Sequence, residues 1–178
     1  MKEKKKKKEK KSGESTKSKS ENSKSVPDNE SGTAVKEMGF SPVFSQSGIL
    51  RPVEGGRYSS RFGYRINPIS GEYALHTGLD IAVPEGSRIR AALNGTVRKT
   101  GEDSHSGKYI FLTHSDGTET FYCHCSEILA QPGAVIRRGE TIALVGSTGW
   151  ATGPHVHFEI RKNGESIDPL PYLEGNDI

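Results

Sequence analysis

Three short motifs in this chain combine residue types that bind metal ions. His76 lies four residues before Asp80, and His155 lies two residues before His157. Side chains alternate between the two faces of a strand, so residues two or four apart point the same way. Each pair can therefore open onto one cleft, where imidazole and carboxylate groups are suitable ligands for zinc with a fourth position left for water.

The third motif, Tyr122-Cys-His124-Cys-Ser126, ends a segment with the composition of a strand. A period of two places His124 opposite Cys123 and Cys125, so we expect both thiols to pack as small hydrophobic groups. A redox or secondary metal role for the thiols is the alternative. A metal-dependent hydrolase also needs a group that accepts a proton and stabilises an oxyanion, which a further histidine can supply.

The remaining candidates have simpler explanations. His105 and His114 lie in turn-rich sequence and are predicted to be structural, outside the site. Four further residues could contact a substrate, but they also fit turns, ion pairs and packing: Arg61, Arg65, Asn67 and Trp150.

The segments that carry these residues have the sequence pattern of an all-β protein, with short strands separated by turns. From Phe40 onward, short runs of Val, Ile, Tyr, Phe and Thr are broken by Gly, Pro and Asn,. The predicted strands are Tyr73–Ala82, Arg88–Lys99, Tyr109–His114, Glu119–Cys125, Thr141–Ser147 and His155–Arg161. Residues 126–131 could form one helical turn. We expect an antiparallel sheet folded into a half-open barrel or sandwich.

Charge divides the chain into two parts. Residues 1–37 hold 12 of the 25 Lys and Arg and 7 of the 22 Asp and Glu, so this part carries +5 and the remainder −2. Residues 1–40 are predicted to be a disordered Lys/Ser/Glu-rich tail, and residues 41–178 to form the folded domain. The tail is a solvated linker or, alternatively, a tether to an anionic membrane or cell-wall surface. We expect no nucleic-acid partner, because the folded part lacks the clustered cations that such binding needs.

At the histidine motifs the sequence resembles the M23 family of metallopeptidases, the lysostaphin and LytM type of cell-wall endopeptidase. The resemblance covers about Tyr58 to Tyr172. Besides the histidine motifs, the segments that carry it are Ser59-Ser-Arg-Phe-Gly-Tyr-Arg65, His76-Thr-Gly-Leu-Asp-Ile-Ala82, Val135-Ile-Arg-Arg-Gly-Glu140, Gly146-Ser-Thr-Gly149 and Thr152-Gly-Pro-His-Val-His-Phe-Glu159. One departure is that the family commonly has Tyr-Gly-His-Leu where this chain has Tyr122-Cys-His124-Cys125.

The resemblance implies that His76, Asp80 and His157 bind Zn²⁺, and that His124 and His155 are catalytic without binding it. Spacing alone shows only that both histidines of the pair face the cleft. The implied activity is that of a zinc metalloendopeptidase, which uses a metal-activated water to hydrolyse cross-bridges or stem peptides of bacterial peptidoglycan. The bond, glycyl or D-alanyl, stays open. An extracytoplasmic, cell-wall-associated location is expected, although no signal peptide or membrane anchor is visible in the sequence.

Two other functions compete with this one. A catalytically silent scaffold or activator module of the same fold would be indicated by loss of site residues, but all five positions are intact. A lipoyl- or biotinyl-carrier-like hairpin is excluded because no Lys stands at a turn in a suitable attachment motif.

Overall fold

A computed structural model describes residues 48–173 of the chain, and the predicted disordered tail, residues 1–40, lies outside the described residues. Strands form nearly all of the regular structure. Numbered in chain order, they are β1 (Arg57–Ser60), β2 (Gly63–Ile66), β3 (Tyr73–His76), β4 (Leu79–Ala82), β5 (Arg88–Arg90), β6 (Gly95–Asp103), β7 (Gly107–Thr113), β8 (Glu119–Ile128), β9 (Val135–Ile136), β10 (Thr141–Val145), β11 (His155–Lys162) and β12 (Glu165–Ile167). A 3-10 turn spans Leu170–Tyr172. No helix in this part of the chain is long and apolar enough to cross a membrane.

Ten of these strands belong to one antiparallel sheet, in the order β1-β4-β11-β8-β7-β6-β9, with β12 beside β11, β10 beside β8 and β5 beside β10. Strands β2 and β3 form a separate two-stranded sheet. The first half of β8 pairs with β11, whereas its second half pairs with β10. Strand β8 therefore changes its pairing partner along its length. The all-β prediction is confirmed, and the sheet is sandwich-like without closing into a barrel.

The two faces of the large sheet have different chemistry. Along β11, Val156, Phe158 and Ile160 are buried in the main apolar core, while His157 and Glu159 alternate with them on the opposite face. Strand β4 repeats the pattern, with Leu79 and Ile81 in the core on either side of Asp80. The polar face borders a cleft. A small, mainly aromatic cluster lines this cleft and consists of Tyr109, Phe111, Phe121 and Cys123.

The prediction of one strand over Tyr73–Ala82 is wrong. The segment divides at residues 77 and 78 into β3 and β4, which belong to different sheets. At Gly78 the chain passes so close to β11 that an added Cβ would lie 2.5 Å from the Phe158 carbonyl oxygen and 2.8 Å from His157 Nε2. His76 and Asp80 therefore approach each other across a break between sheets, and not along one face of a strand.

Two further element predictions are corrected. Arg88–Lys99 is interrupted between β5 and β6, because the N–H groups of Ala91 and Ala92 donate to the Glu140 carbonyl and the Tyr122 hydroxyl. Residues 126–131 form no helical turn. Strand β8 instead continues to Ile128, whose backbone pairs with that of Ala143 in β10.

The predicted orientation of the cysteines is also wrong, because the backbone of β8 does not alternate regularly at His124. This residue adopts a left-handed conformation with φ of 62°. The register with β7 shifts in the same region, as in a β-bulge,. Cys123 consequently lies in the aromatic cluster on the cleft face, while Cys125 lies in the main core. Burial raises the pKa of both thiols, which fits the predicted role as small packing groups.

Tyr122 provides a stability test for the junction between β8 and the loop after β5. Its hydroxyl is fully buried and accepts a hydrogen bond of 2.9 Å from the Ala92 N–H. Tyr122→Phe leaves that donor buried without a partner, which we expect to lower the free energy of unfolding by about 1–3 kcal/mol. Urea unfolding in the presence of a chelator measures the change. Tyr172→Phe, at a half-exposed ring, is the control; equal stability of the two variants would contradict the assignment.

Candidate functional site

One cleft, with a volume of about 400 Å³, contains all five site residues predicted from the sequence. His76 ends β3 and Asp80 lies in β4. His124 lies at the bulge of β8, and His155 and His157 lie in β11. Four strands from two sheets therefore contribute to the cleft.

The closest group of donor atoms comes from His76, Asp80 and His157. Asp80 Oδ1 lies 2.8 Å from His157 Nδ1 and 3.1 Å from His76 Nε2, and these two nitrogens are 3.1 Å apart. The register of the sheet explains the proximity, because Asp80 and His157 are directly opposite each other in the paired strands β4 and β11. Three donors thus form a compact triangle.

The triangle fits a zinc ion in both chemistry and size. Two imidazole nitrogens and one carboxylate oxygen are a common donor set for catalytic zinc, which keeps a fourth position open. Bonds of about 2.0–2.1 Å in a tetrahedral arrangement separate neighbouring ligand atoms by roughly 3.3 Å. The observed separations of 2.8–3.1 Å differ from that value by only a few tenths of an ångström.

Hydrogen bonds on the far side of each ring orient the two histidines. His76 Nδ1 lies 2.8 Å from the Arg61 carbonyl oxygen, to which it donates. His157 Nε2 lies 3.1 Å from Glu159 Oε1 and donates to this carboxylate. His76 Nε2 and His157 Nδ1 are therefore the ring nitrogens directed toward Asp80.

Charge is concentrated around His157. Burial opposes its protonation, but hydrogen bonds to Asp80 and Glu159 outweigh burial and raise the pKa of His157 to about 9. Burial likewise opposes ionisation of the two carboxyls, but the hydrogen bonds and charges of their partners prevail. They hold the pKa of Asp80 well below its usual range and lower the pKa of Glu159 to about 2. A cation at Nδ1 of His157, a proton or a metal ion, is therefore strongly favoured.

His124 and His155 form a second pair beside the triangle. Their ring centroids are 4.7 Å apart, and His155 Nε2 lies 3.8 Å from Asp80 Oδ1. His124 Nδ1 donates to the Thr148 carbonyl and His155 Nδ1 donates to the Gly153 carbonyl, and the donor–acceptor distance is 2.8 Å in both hydrogen bonds. When a ring with this hydrogen bond is neutral, its Nε2 is an acceptor. Burial lowers the pKa of His124 to about 4, so its ring is neutral at pH 7.

Several residues with weaker sequence assignments also line the cleft. Arg65 Nη2 lies 3.8 Å from Asp80 Oδ2. The Asn67 side chain lines the cleft and also accepts hydrogen bonds from the next residues of its turn. Trp150 lines the cleft together with His105, whose ring centroid is 4.9 Å away, so the expectation that His105 stands outside the site is corrected.

His114, the other histidine predicted to be structural, does not line this cleft. It is buried and its ring nitrogens lie 2.9 Å from the Asn94 carbonyl and 2.9 Å from the Thr120 hydroxyl. Burial lowers the pKa of His114.

Glu159, the buried carboxylate hydrogen-bonded to His157, has no role predicted from the sequence. Strand alternation could have indicated this residue, because Glu159 lies two positions beyond His157 and therefore shares its face of β11. The carbonyls of Thr148, Gly153 and Arg61, which orient three of the histidines, leave no such signal, since every residue has a carbonyl.

The chain is similar to several known proteins. The pattern of peptidase family M23 matches residues 74–169. The chain is 42% identical over 121 residues to the DD-carboxypeptidase/endopeptidase Mpg of Neisseria meningitidis, covering 68% of this chain and 28% of that protein. It is 36% identical over 145 residues to the peptidoglycan DD-endopeptidase ShyC of Vibrio cholerae, covering 77% of this chain and 34% of that protein.

A solved structure has the same fold. The crystal structure of a zinc-containing peptidase from Vibrio cholerae superposes with a TM-score of 0.64 and 32% identity, over 68% of this chain and 39% of that one. This chain therefore spans roughly a third of the length of the relatives it matches. With more than half of its 178 residues matching the family pattern, the chain belongs to peptidase family M23.

Proposed function

We propose that this domain is a zinc metalloendopeptidase that hydrolyses peptide cross-links of bacterial peptidoglycan. The observation that carries the proposal is the convergence of His76 Nε2, Asp80 Oδ1 and His157 Nδ1 within 3.1 Å of one another, beside two further histidines in the same cleft. His76, Asp80 and His157 are the proposed metal ligands. His124 and His155 are the proposed catalytic residues.

The chemistry is divided between the ion and the second pair of histidines. A bound zinc ion would supply a Lewis acid that polarises a carbonyl and lowers the pKa of water to about 7. His124 and His155 present Nε2 acceptors to the cleft, so either ring can accept a proton from an attacking water. The imidazolium that results can stabilise the oxyanion of a tetrahedral intermediate and return the proton to the leaving amine.

The relatives support the choice of substrate. ShyC is described as a peptidoglycan DD-endopeptidase and Mpg as a DD-carboxypeptidase/endopeptidase. We infer that the D-alanyl cross-link, and not a glycyl bridge, is the preferred bond of this domain. Its place of action is then the cell wall, outside the cytoplasmic membrane.

The cleft walls are suited to an extended peptide. Arg65 and Asn67 lie on the side formed by the β2–β3 sheet, and Trp150 lies in the loop that precedes β11. Cationic, amide and aromatic groups can contact the carboxylates, backbone amides and methyl groups of stem peptides.

Incubation of purified protein with cell-wall sacculi tests the enzyme against the scaffold alternative. Sacculi with direct D-alanyl cross-links should release new amine termini in the presence of zinc, and a chelator should abolish the release. Sacculi with glycine bridges should release far fewer. Stoichiometric zinc binding without new termini from either substrate would overturn the proposed activity and favour a silent scaffold module.

Substitutions at the histidines test the division of roles. His157→Ala should weaken zinc binding by roughly 100-fold or more, because it removes one of three ligands. His155→Ala and His124→Asn should keep zinc and lose about 10²–10⁴-fold in activity, as expected for removal of a proton-transfer group. Asn is chosen at position 124 because it tolerates the left-handed backbone there,.

Zinc content by mass spectrometry and cleavage of a cross-linked muropeptide are the two measurements. Equal loss of zinc in His155→Ala and His157→Ala would show that the two histidines of this pair have been assigned in the wrong order.

A further inference from the structure

Glu159 is a buried carboxylate that the proposed chemistry does not use. Only 3% of its surface is exposed. Its Oε1 accepts hydrogen bonds from His157 Nε2 at 3.1 Å and from the Thr77 hydroxyl at 2.6 Å. Its Oε2 accepts from Arg161 Nε at 2.7 Å and from the Ser166 hydroxyl at 3.2 Å. Both oxygens are thus fully engaged.

The Oε1 side connects two segments that carry proposed metal ligands. Thr77 immediately follows His76. Oε1 of Glu159 therefore accepts hydrogen bonds both from the residue beside His76 and from the ring of His157. Gly78 packs directly against the same ring, where an added Cβ would lie 2.8 Å from His157 Nε2. The ring has little freedom to rotate away from Glu159.

The Oε2 side compensates for the burial of the negative charge. A buried carboxylate is tolerated only when it is paired and hydrogen-bonded. Arg161 supplies the pairing, and its guanidinium carbon lies 5.0 Å from the ring centre of Phe111 and 5.3 Å from that of Phe121. Arg161, packed against this aromatic surface, pairs with Oε2 and leaves Oε1 to His157 and Thr77.

We propose that Glu159 is a positioning residue of the metal centre, holding His157 in the Nε2–H form with Nδ1 directed toward Asp80 and His76. The inference rests on the proposed metal centre and extends it to a buried carboxylate–histidine pair. An anionic acceptor behind a ligating imidazole fixes the orientation of the ring and raises the basicity of the ligating nitrogen. Glu159 contacts neither substrate nor metal in this role.

Zinc affinity of the full chain provides the test, measured by competition with a chromogenic chelator on protein stripped of metal. Glu159→Gln keeps the size of the side chain but removes its charge, and should weaken zinc binding by about 10–100-fold. Glu165→Gln, at an exposed position of β12, is the matched control and should bind zinc like the wild type. His157→Ala is the reference for loss of a ligand.

Two further measurements separate positioning from a merely structural role. Visible absorption of the Co²⁺-substituted protein should change in Glu159→Gln, because the ligand geometry changes. Thr77→Val, which removes one hydrogen bond to Oε1 and keeps the carboxylate, should weaken zinc binding by a smaller factor and stays informative if Glu159→Gln does not fold.

The possible outcomes distinguish the two proposals. Loss of zinc by His157→Ala with wild-type affinity and an unchanged Co²⁺ spectrum in Glu159→Gln would overturn the role of Glu159 and leave the metal centre standing. Wild-type affinity in His157→Ala as well would overturn the metal centre itself. Equal weakening in Glu159→Gln and Glu165→Gln would also contradict a specific role for Glu159.

Discussion

Pairing between β4 and β11 is the interaction on which the proposed site depends. It places Asp80 directly opposite His157 and, on the other face, Leu79 opposite Phe158 within the core. A slip of one residue would turn Asp80 into the core and bring an apolar side chain into the cleft. Burying an unpaired carboxylate costs several kcal/mol, which is about the free energy of unfolding of a small domain. The apolar core and the site therefore favour the same single register of β4 and β11.

Two departures from regular strand geometry complete the cleft. At Gly78 the absence of a side chain allows the segment after His76 to cross directly over His157. At His124 a left-handed residue bends β8 at the point where it leaves β11 and joins β10. A non-glycine residue in this conformation costs about 1–2 kcal/mol, and such local strain is often found at functional sites. The hydrogen bond from His124 N–H to the Ser106 carbonyl and the contact with Thr148 hold it in place.

Electrostatics then determines which atoms of the site are available. His157 lies between two buried carboxylates, Asp80 at its Nδ1 and Glu159 at its Nε2, and Arg161 balances the charge of Glu159. Among the residues that the structure describes, no carboxylate lies within hydrogen-bonding distance of His124, and burial lowers the pKa of this ring so that it is neutral at pH 7. The pKa values of these neighbouring imidazoles are therefore shifted in opposite directions, which is in keeping with the proposal that one binds the metal and the other transfers protons.

The sequence by itself determined the all-β class, the family resemblance and the five candidate residues, because alternation along β11 and the spacing of His76 and Asp80 are local properties. It did not determine that His76 and Asp80 lie in different sheets, that Cys123 and Cys125 lie on opposite faces, or that His105 borders the cleft. Those features depend on a bulge, a close backbone approach and the packing of two loops, all of which involve residues distant in sequence. Only the tertiary structure brought Thr77, Glu159 and Arg161 together behind His157.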